Sequence, residues 1–235
     1  MERLIESVPY IINRGEIYMQ KKELIKRYIL FGFCLFFMGV GIALTKHGNL
    51  GVSPISSLAN VLSCKFTSLS FGNWLIVTNC LLLLGQIVVL RKKFQRIQLL
   101  QIPLAFMFGY FTDLGMFMVA KIPNDIYIMQ ICLVFMGTVV LGFGIFLGVT
   151  AEVILNSGEG FVKAFSDTID KEFSTTKIAF DITWTSISAI LSLCLFDGKI
   201  VGIREGTLIS AVCAGLVVKF FTRILGKPLK KFIAT

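Results

Sequence analysis

Charged residues vanish from three long stretches of the chain, Tyr28–Thr45, Phe66–Leu90 and Ile126–Ala151. In a helix rising roughly 1.5 Å per residue, about 20 such residues cross a hydrocarbon layer of about 30 Å. Short charged joints separate the apolar runs: "RKKFQR" at 91–96, "KIPND" at 121–125, where Pro123 stops a helix, and "FDGKIVGIRE" at 196–205. The pattern predicts six spans, near 28–45, 73–90, 98–120, 126–150, 178–196 and 206–225.

Two segments fit neither a span nor an ordinary loop: "NLGVSPISSLANVLS" (49–63) and "NSGEGFVKAFSDTID" (156–170). A shift of 107 residues lays Asn49 on Asn156, Gly51 on Gly158 and Phe66 on Phe173. Ile55, Leu58 and Leu62 then meet Val162, Phe165 and Ile169, and Ser56, Asn60 and Ser63 meet Lys163, Asp167 and Asp170. Both sets keep helical spacing, so each segment is expected to form a short amphipathic helix, over 53–63 and 160–170. Further along, with a shift of 106, Ala105, Gly109 and Asp113 fall on Ala211, Gly215 and Lys219, and the small residues four apart in each copy suit close helix contact. Each half therefore holds three spans and one short helix, and an odd number of spans inverts the second half. The expected fold class is all-α: a polytopic membrane protein of two inverted three-helix repeats, each with a short re-entrant or interfacial helix.

The chain divides accordingly into an N-terminal basic segment (1–27), membrane repeats at 28–120 and 121–225, and a basic tail (226–235). Composition agrees: of 235 residues 55% are hydrophobic and only 16% charged, and mean hydropathy is +0.81. The first 27 residues interleave six basic residues with four glutamates and do not read as a cleavable signal. With the N-terminus cytoplasmic, the inner joints and tails receive 18 of the 23 basic residues. The positive-inside rule thus places both termini in the cytoplasm of a bacterial plasma membrane. The net charge of +9 is then topology and headgroup attraction, so a lipid bilayer and not nucleic acid is the expected partner.

Ser53-Pro54 reads as an N-cap with a first-turn proline, and Gly158-Glu159-Gly160 as a flexible lead-in carrying an acid near the positive helix end. With Gly51, these are the helix-start motifs. If the two N-termini point inward, their free N–H groups are placed to hold an anionic or polar solute. Asp113 and Asp181 lie within spans, where a carboxylate is costly unless paired or near water. Candidates for a solute or ion path are therefore Ser53, Asn60, Asp113, Glu159, Lys163, Asp167, Asp181, Arg204 and Glu205. Asn79 and Thr78 read as contacts between helices. Six cysteines without CxxC spacing predict neither disulfides nor a metal site. No nucleotide loop, zincin motif or hydrolase dyad occurs, so no cofactor and no enzymatic activity are expected.

The stretches "LGVSPISSLANVLS", "LLQIPLAFMFGYFTDLGMF", "GEGFVKAFS" with "EFSTTKIAFD", and "VGIREGTLISAVCAGLV" together resemble the YczE/YyaS/YitT-like bacterial multi-pass membrane proteins, in the variety common among Firmicutes. The resemblance covers about residues 25–225. Many relatives carry "GPWD" where this chain has "SPIS", so a role for that acid does not transfer to Ser56. Motif positions that do transfer are Gly51, Ser53, Pro54, Asp113, Gly158, Glu159, Gly160, Asp181 and the run Arg204–Thr207. Members are commonly regarded as permeases or exporters, so the resemblance implies substrate transport.

A small-molecule secondary transporter with its path between the repeats fits these features best. A substrate-binding subunit of a multi-component vitamin-type uptake system has a similar span count. A regulatory or assembly protein would use the charged segment 151–177 as a contact surface. Partners expected beyond lipid are an unknown small solute and a second copy of the chain.

Overall fold

The computed structural model describes residues 21–234 and is helical throughout its regular elements. Most of the expected 1–27 segment lies outside the described residues. The elements are α1 (Lys21–His47), a 3-10 turn (Pro54–Ser56) leading into α2 (Ser57–Lys65), α3 (Phe71–Leu90), α4 (Gln101–Val119), α5 (Tyr127–Ala151), α6 (Ser157–Ile169), α7 (Phe173–Leu195) and α8 (Glu205–Ala234). Six of them, α1, α3, α4, α5, α7 and α8, are long and apolar enough to cross a membrane. Their outward faces are aliphatic and aromatic: Phe117 is 80% exposed, Ile128 71% and Leu208 71%. In water such faces would be untenable, and in lipid they are the solvated surface. The protein is a multi-pass membrane protein.

At the centre α1 and α5 run antiparallel. Gly48 meets Gln130 and Val134 at one end, Gly144 meets Met38 midway, and Arg27 bonds the Ala151 carbonyl at 2.9 Å at the other. Lipid tails are as apolar as leucine, so close packing rather than water exclusion must hold such helices together. Glycine supplies it: a Cβ on Gly144 would lie 2.7 Å from the Met38 nitrogen. Phe37 and Phe143 then meet edge-to-face, with ring centroids 5.1 Å apart.

Each central helix carries the third span of its half alongside, in parallel. Gly39 of α1 abuts Thr112 of α4, and Ala43 abuts Gly115. In the second half, Gly142 of α5 abuts Val217 of α8, and the Thr138 and Ser210 hydroxyls bond at 3.1 Å. Antiparallel halves with matching internal packing are the inverted repeat expected from the sequence. The short helices join the halves, because α2 packs on both α3 and α7, and α6 on both α7 and α3. Ser57 bonds Ser188 of α7 at 2.9 Å, and Phe161 of α6 closes over Gly85 of α3.

Several local expectations change. Ser53 makes no side-chain cap; its hydroxyl bonds Ser56 instead, and the chain makes a 3-10 turn before α2. Gly158-Glu159-Gly160 is not a lead-in but the first turn of α6, which begins at Ser157 behind an Asn156 cap. Asn49 and Gly51 adopt left-handed backbone, φ 56° and 103°, whereas Asn156 has φ −59°, so that sequence match is not a structural one. The paired polar faces also diverge. Ser56 and Asn60 are buried, whereas Asp167 and Asp170 are exposed. Finally, α8 continues past residue 225 to Ala234, through Pro228.

Candidate functional site

Both short helices present their N-terminal ends to the interior. Pro54, Ser56 and Ser57 are buried on one side, and Ser157, Gly158 and Gly160 on the other. The two ends touch, since a Cβ on Gly158 would stand 2.9 Å from the Ile55 Cδ1. Gly160 likewise lies close to the buried amides of Gln86 on α3 and Gln101 on α4. A side chain at either glycine would have to displace the ends of the Ile55, Gln86 or Gln101 side chains, so glycine keeps this contact tight despite its propensity cost in a helix.

Beside this junction lies a cavity of about 230 Å³, lined from both repeats. Its walls include Met38 and Ile42 of α1, Phe108 of α4, and Leu141, Ile145 and Val149 of α5. Ser53–Ser56, Asn156 and Glu159 bring the two helix starts to its edge, and Ser210, Ala211 and Gly215 line it from α8. Its charged groups are Glu159, Lys177 and Asp181. Lys177 and Asp181 sit one helical turn apart on α7, and the ammonium reaches both carboxylate oxygens at 2.7 Å. Glu159 Oε2 is buried with no hydrogen-bond partner. Burial raises the carboxyl of Glu159 above the ordinary carboxylate range, and the Lys177 ammonium offsets that in part. Asn79 of α3 adds a second unpartnered acceptor, because its Nδ2 donates to the Leu75 carbonyl and its Oδ1 meets nothing.

Of the candidates read from the sequence, Ser53, Pro54, Glu159 and Asp181 thus come together at the cavity. The others stand elsewhere. Asp113 accepts from the Ser70 hydroxyl and, at 2.8 Å, from the Gly72 backbone N–H, capping α3. Asn60 donates to the Gly202 carbonyl at 2.6 Å and accepts from Lys46, so it ties α2 to the loop before α8. Lys163 and Asp167 pair with each other at 2.8 Å on the outer side of α6. Arg204 and Glu205 pair at 3.0 Å, with the Tyr127 hydroxyl also donating to Glu205. Gly51 holds the turn before Ser53 against Arg204 and Thr207. Sequence reasoning missed Lys177 and Ser210 and read Asn79 only as a helix contact. The Lys177/Asp181 spacing of four residues was the available signal.

The two repeats differ at one interface. Gly72 and Gly109 bring α3 and α4 together, a Cβ on Gly109 falling 2.7 Å from the Gly72 carbonyl. Their counterparts α7 and α8 form no comparable interface, and Ala211 and Gly215 face the cavity instead of a helix. Small residues four apart thus serve contact in the first half and open space in the second.

A sequence model described as a family of unknown function (DUF6198) matches residues 25–223. The chain is also similar to the uncharacterized protein YyaS of Bacillus subtilis (strain 168), 28% identical over 206 residues, covering 85% of this chain and 94% of that one. These matches bear out the resemblance carried by the sequence motifs. No solved structure matches.

Proposed function

We propose that this chain, which belongs to the DUF6198 family, is a small-molecule secondary transporter of the bacterial plasma membrane with its solute path between the inverted repeats. The observation that carries this reading is the cavity of about 230 Å³, bounded by both halves and by the leading ends of both short helices. Transporters built from inverted repeats place their solute sites at this kind of position, where helix ends face inward. On this reading the short helices are re-entrant rather than interfacial, which is supported by their starts lining one cavity with mid-span residues of α1 and α5. Both termini face the cytoplasm, on the strength of the basic joints and tails.

The test is flux. Full-length protein in proteoliposomes is loaded with a metabolite mixture and assayed for counterflow. Glu159→Gln and Asp181→Asn should each reduce the rate by about tenfold or more, as loss of a buried charged contact does, while Lys163→Ala should not. Unchanged flux in both cavity variants sinks the path assignment. Stable co-purification with an ATPase pair would reassign the chain as a capture subunit.

A further inference from the structure

We propose that the cavity selects small organic ammonium ions with an apolar body, held by Glu159 and Asn79. The inference rests on the cavity being the solute site and adds the chemistry of the solute.

Unmet hydrogen-bonding capacity defines what the ligand must bring. Glu159 Oε2 and Asn79 Oδ1 are both buried acceptors without donors. Asn79 is 2% exposed and lines the cavity, and with its Nδ2 bonded to the Leu75 carbonyl at 2.8 Å the Oδ1 is the amide atom left without a partner. A buried acceptor left bare is costly, and a carboxylate more so. An ammonium supplies several donors and the opposite charge together.

Charge balance points the same way. Among the described residues Lys177 is the lysine in the wall, and both oxygens of Asp181 already hold it, so no ion pair there joins Glu159 to a cation. An incoming anion would meet Glu159 in the first turn of α6, where the carboxylate already answers the positive helix end. Of the anionic or polar solutes expected at the helix ends, the anionic class is therefore dropped. The remaining walls, Met38, Phe108, Leu141 and Ile145 among them, suit a hydrocarbon or aromatic body. The volume of about 230 Å³ is below the roughly 300–1,000 Å³ of pockets that take drug-sized ligands, so the body is small.

Calorimetric titration of the full-length protein in detergent, at mildly alkaline pH, tests this with three probes on one skeleton: phenethylammonium, phenethyl alcohol and phenylacetate. Phenethylammonium should bind about tenfold or more tighter than the alcohol, and phenylacetate weakest. Glu159→Gln should erase the advantage of the cation while leaving the affinity for the alcohol within about twofold. Asn79→Leu should weaken phenethylammonium about fivefold. Thermal melting of each variant checks that it folds, and Glu159→Gln, which keeps shape and hydrogen bonding, decides if Asn79→Leu does not. The proposal is overturned if phenylacetate binds best, if the three bind alike, if none binds, or if the cation keeps its advantage in Glu159→Gln. Cation binding without flux would sink the transport reading alone. Flux with anion preference would sink only the ammonium assignment.

Discussion

The Asp113 carboxylate on α4 accepts the Gly72 backbone N–H at 2.8 Å, closing the first turn of α3 from a neighbouring helix. The Ser70 hydroxyl donates to the same carboxylate and itself accepts from Asn73 N–H at 3.1 Å. An acid inside a predicted span thus serves the fold. Asp113→Ala should cost about 1–2 kcal/mol of stability, as lost caps do. The measurement is thermal melting in detergent, with flux per folded molecule unchanged; a loss of flux at full stability would return Asp113 to the path.

Glu159 should make the protein sensitive to pH. It faces Lys177 and Asp181 of α7 and interacts with the Cys34 thiol of α1, and burial raises its carboxyl. A group raised in the folded state contributes stability below its unfolded value, about 4.3, and that contribution is lost as pH rises through the folded value. Glu159→Gln should therefore melt higher than wild type at alkaline pH and equally at acidic pH. Ammonium binding should show the opposite dependence, strengthening as the carboxyl ionises. Parallel melting curves for the two proteins at every pH would refute this.

Two glycines of neighbouring spans make a contrasting pair. A Cβ on Gly144 would collide with α1 at Met38, whereas one on Gly32 would meet nothing within 4 Å. Gly144→Ala should destabilise by about 1–3 kcal/mol through overpacking. Gly32→Ala should stabilise by about 0.5–1 kcal/mol through reduced backbone freedom. Equal shifts in melting temperature would mean that α1 and α5 are not held by close backbone approach.

Orientation is open to chemical labelling. Cys64, at the end of α2, and Cys194, near the end of α7, are exposed, on the side assigned to the exterior. An impermeant maleimide should label Cys64 in intact cells. In a chain with Cys64 and Cys194 replaced by serine, Lys92→Cys should react only after permeabilisation. The reverse pattern would invert the assigned topology.

The spans were legible because an uncharged run of about 20 residues has few other stable uses. The inversion followed from parity alone. Helix starts were harder to read. Ser53-Pro54 has the composition of a capped helix, yet the left-handed Asn49 and Gly51 turn the chain so that a 3-10 turn forms first. Gly158 and Gly160 read as a flexible lead-in, and only the nearness of Ile55, Gln86 and Gln101 explains them as packing residues. Lys46 follows the first apolar run, and nothing in that run shows that α2 folds over it, with Asn60 and Ser63 accepting from its ammonium and the Phe71 ring 4.5 Å away. Asn79 gains its meaning from α5 and α8 across the cavity, and one helix's own pattern carries no trace of that.

Between α3 and α4 the helices are shut on Gly72 and Gly109, while α7 and α8 stand ajar around Ala211 and Gly215. If the chain transports, inverted copies that pack differently hold both ends of a reciprocal movement within one chain. Under the transport reading, each half is a template for what the other becomes. Closing α7 onto α8 while α3 parts from α4 would turn the cavity from one face of the membrane to the other. On this view the bare surface of Gly215 is a landing place, kept small for a helix that has yet to arrive.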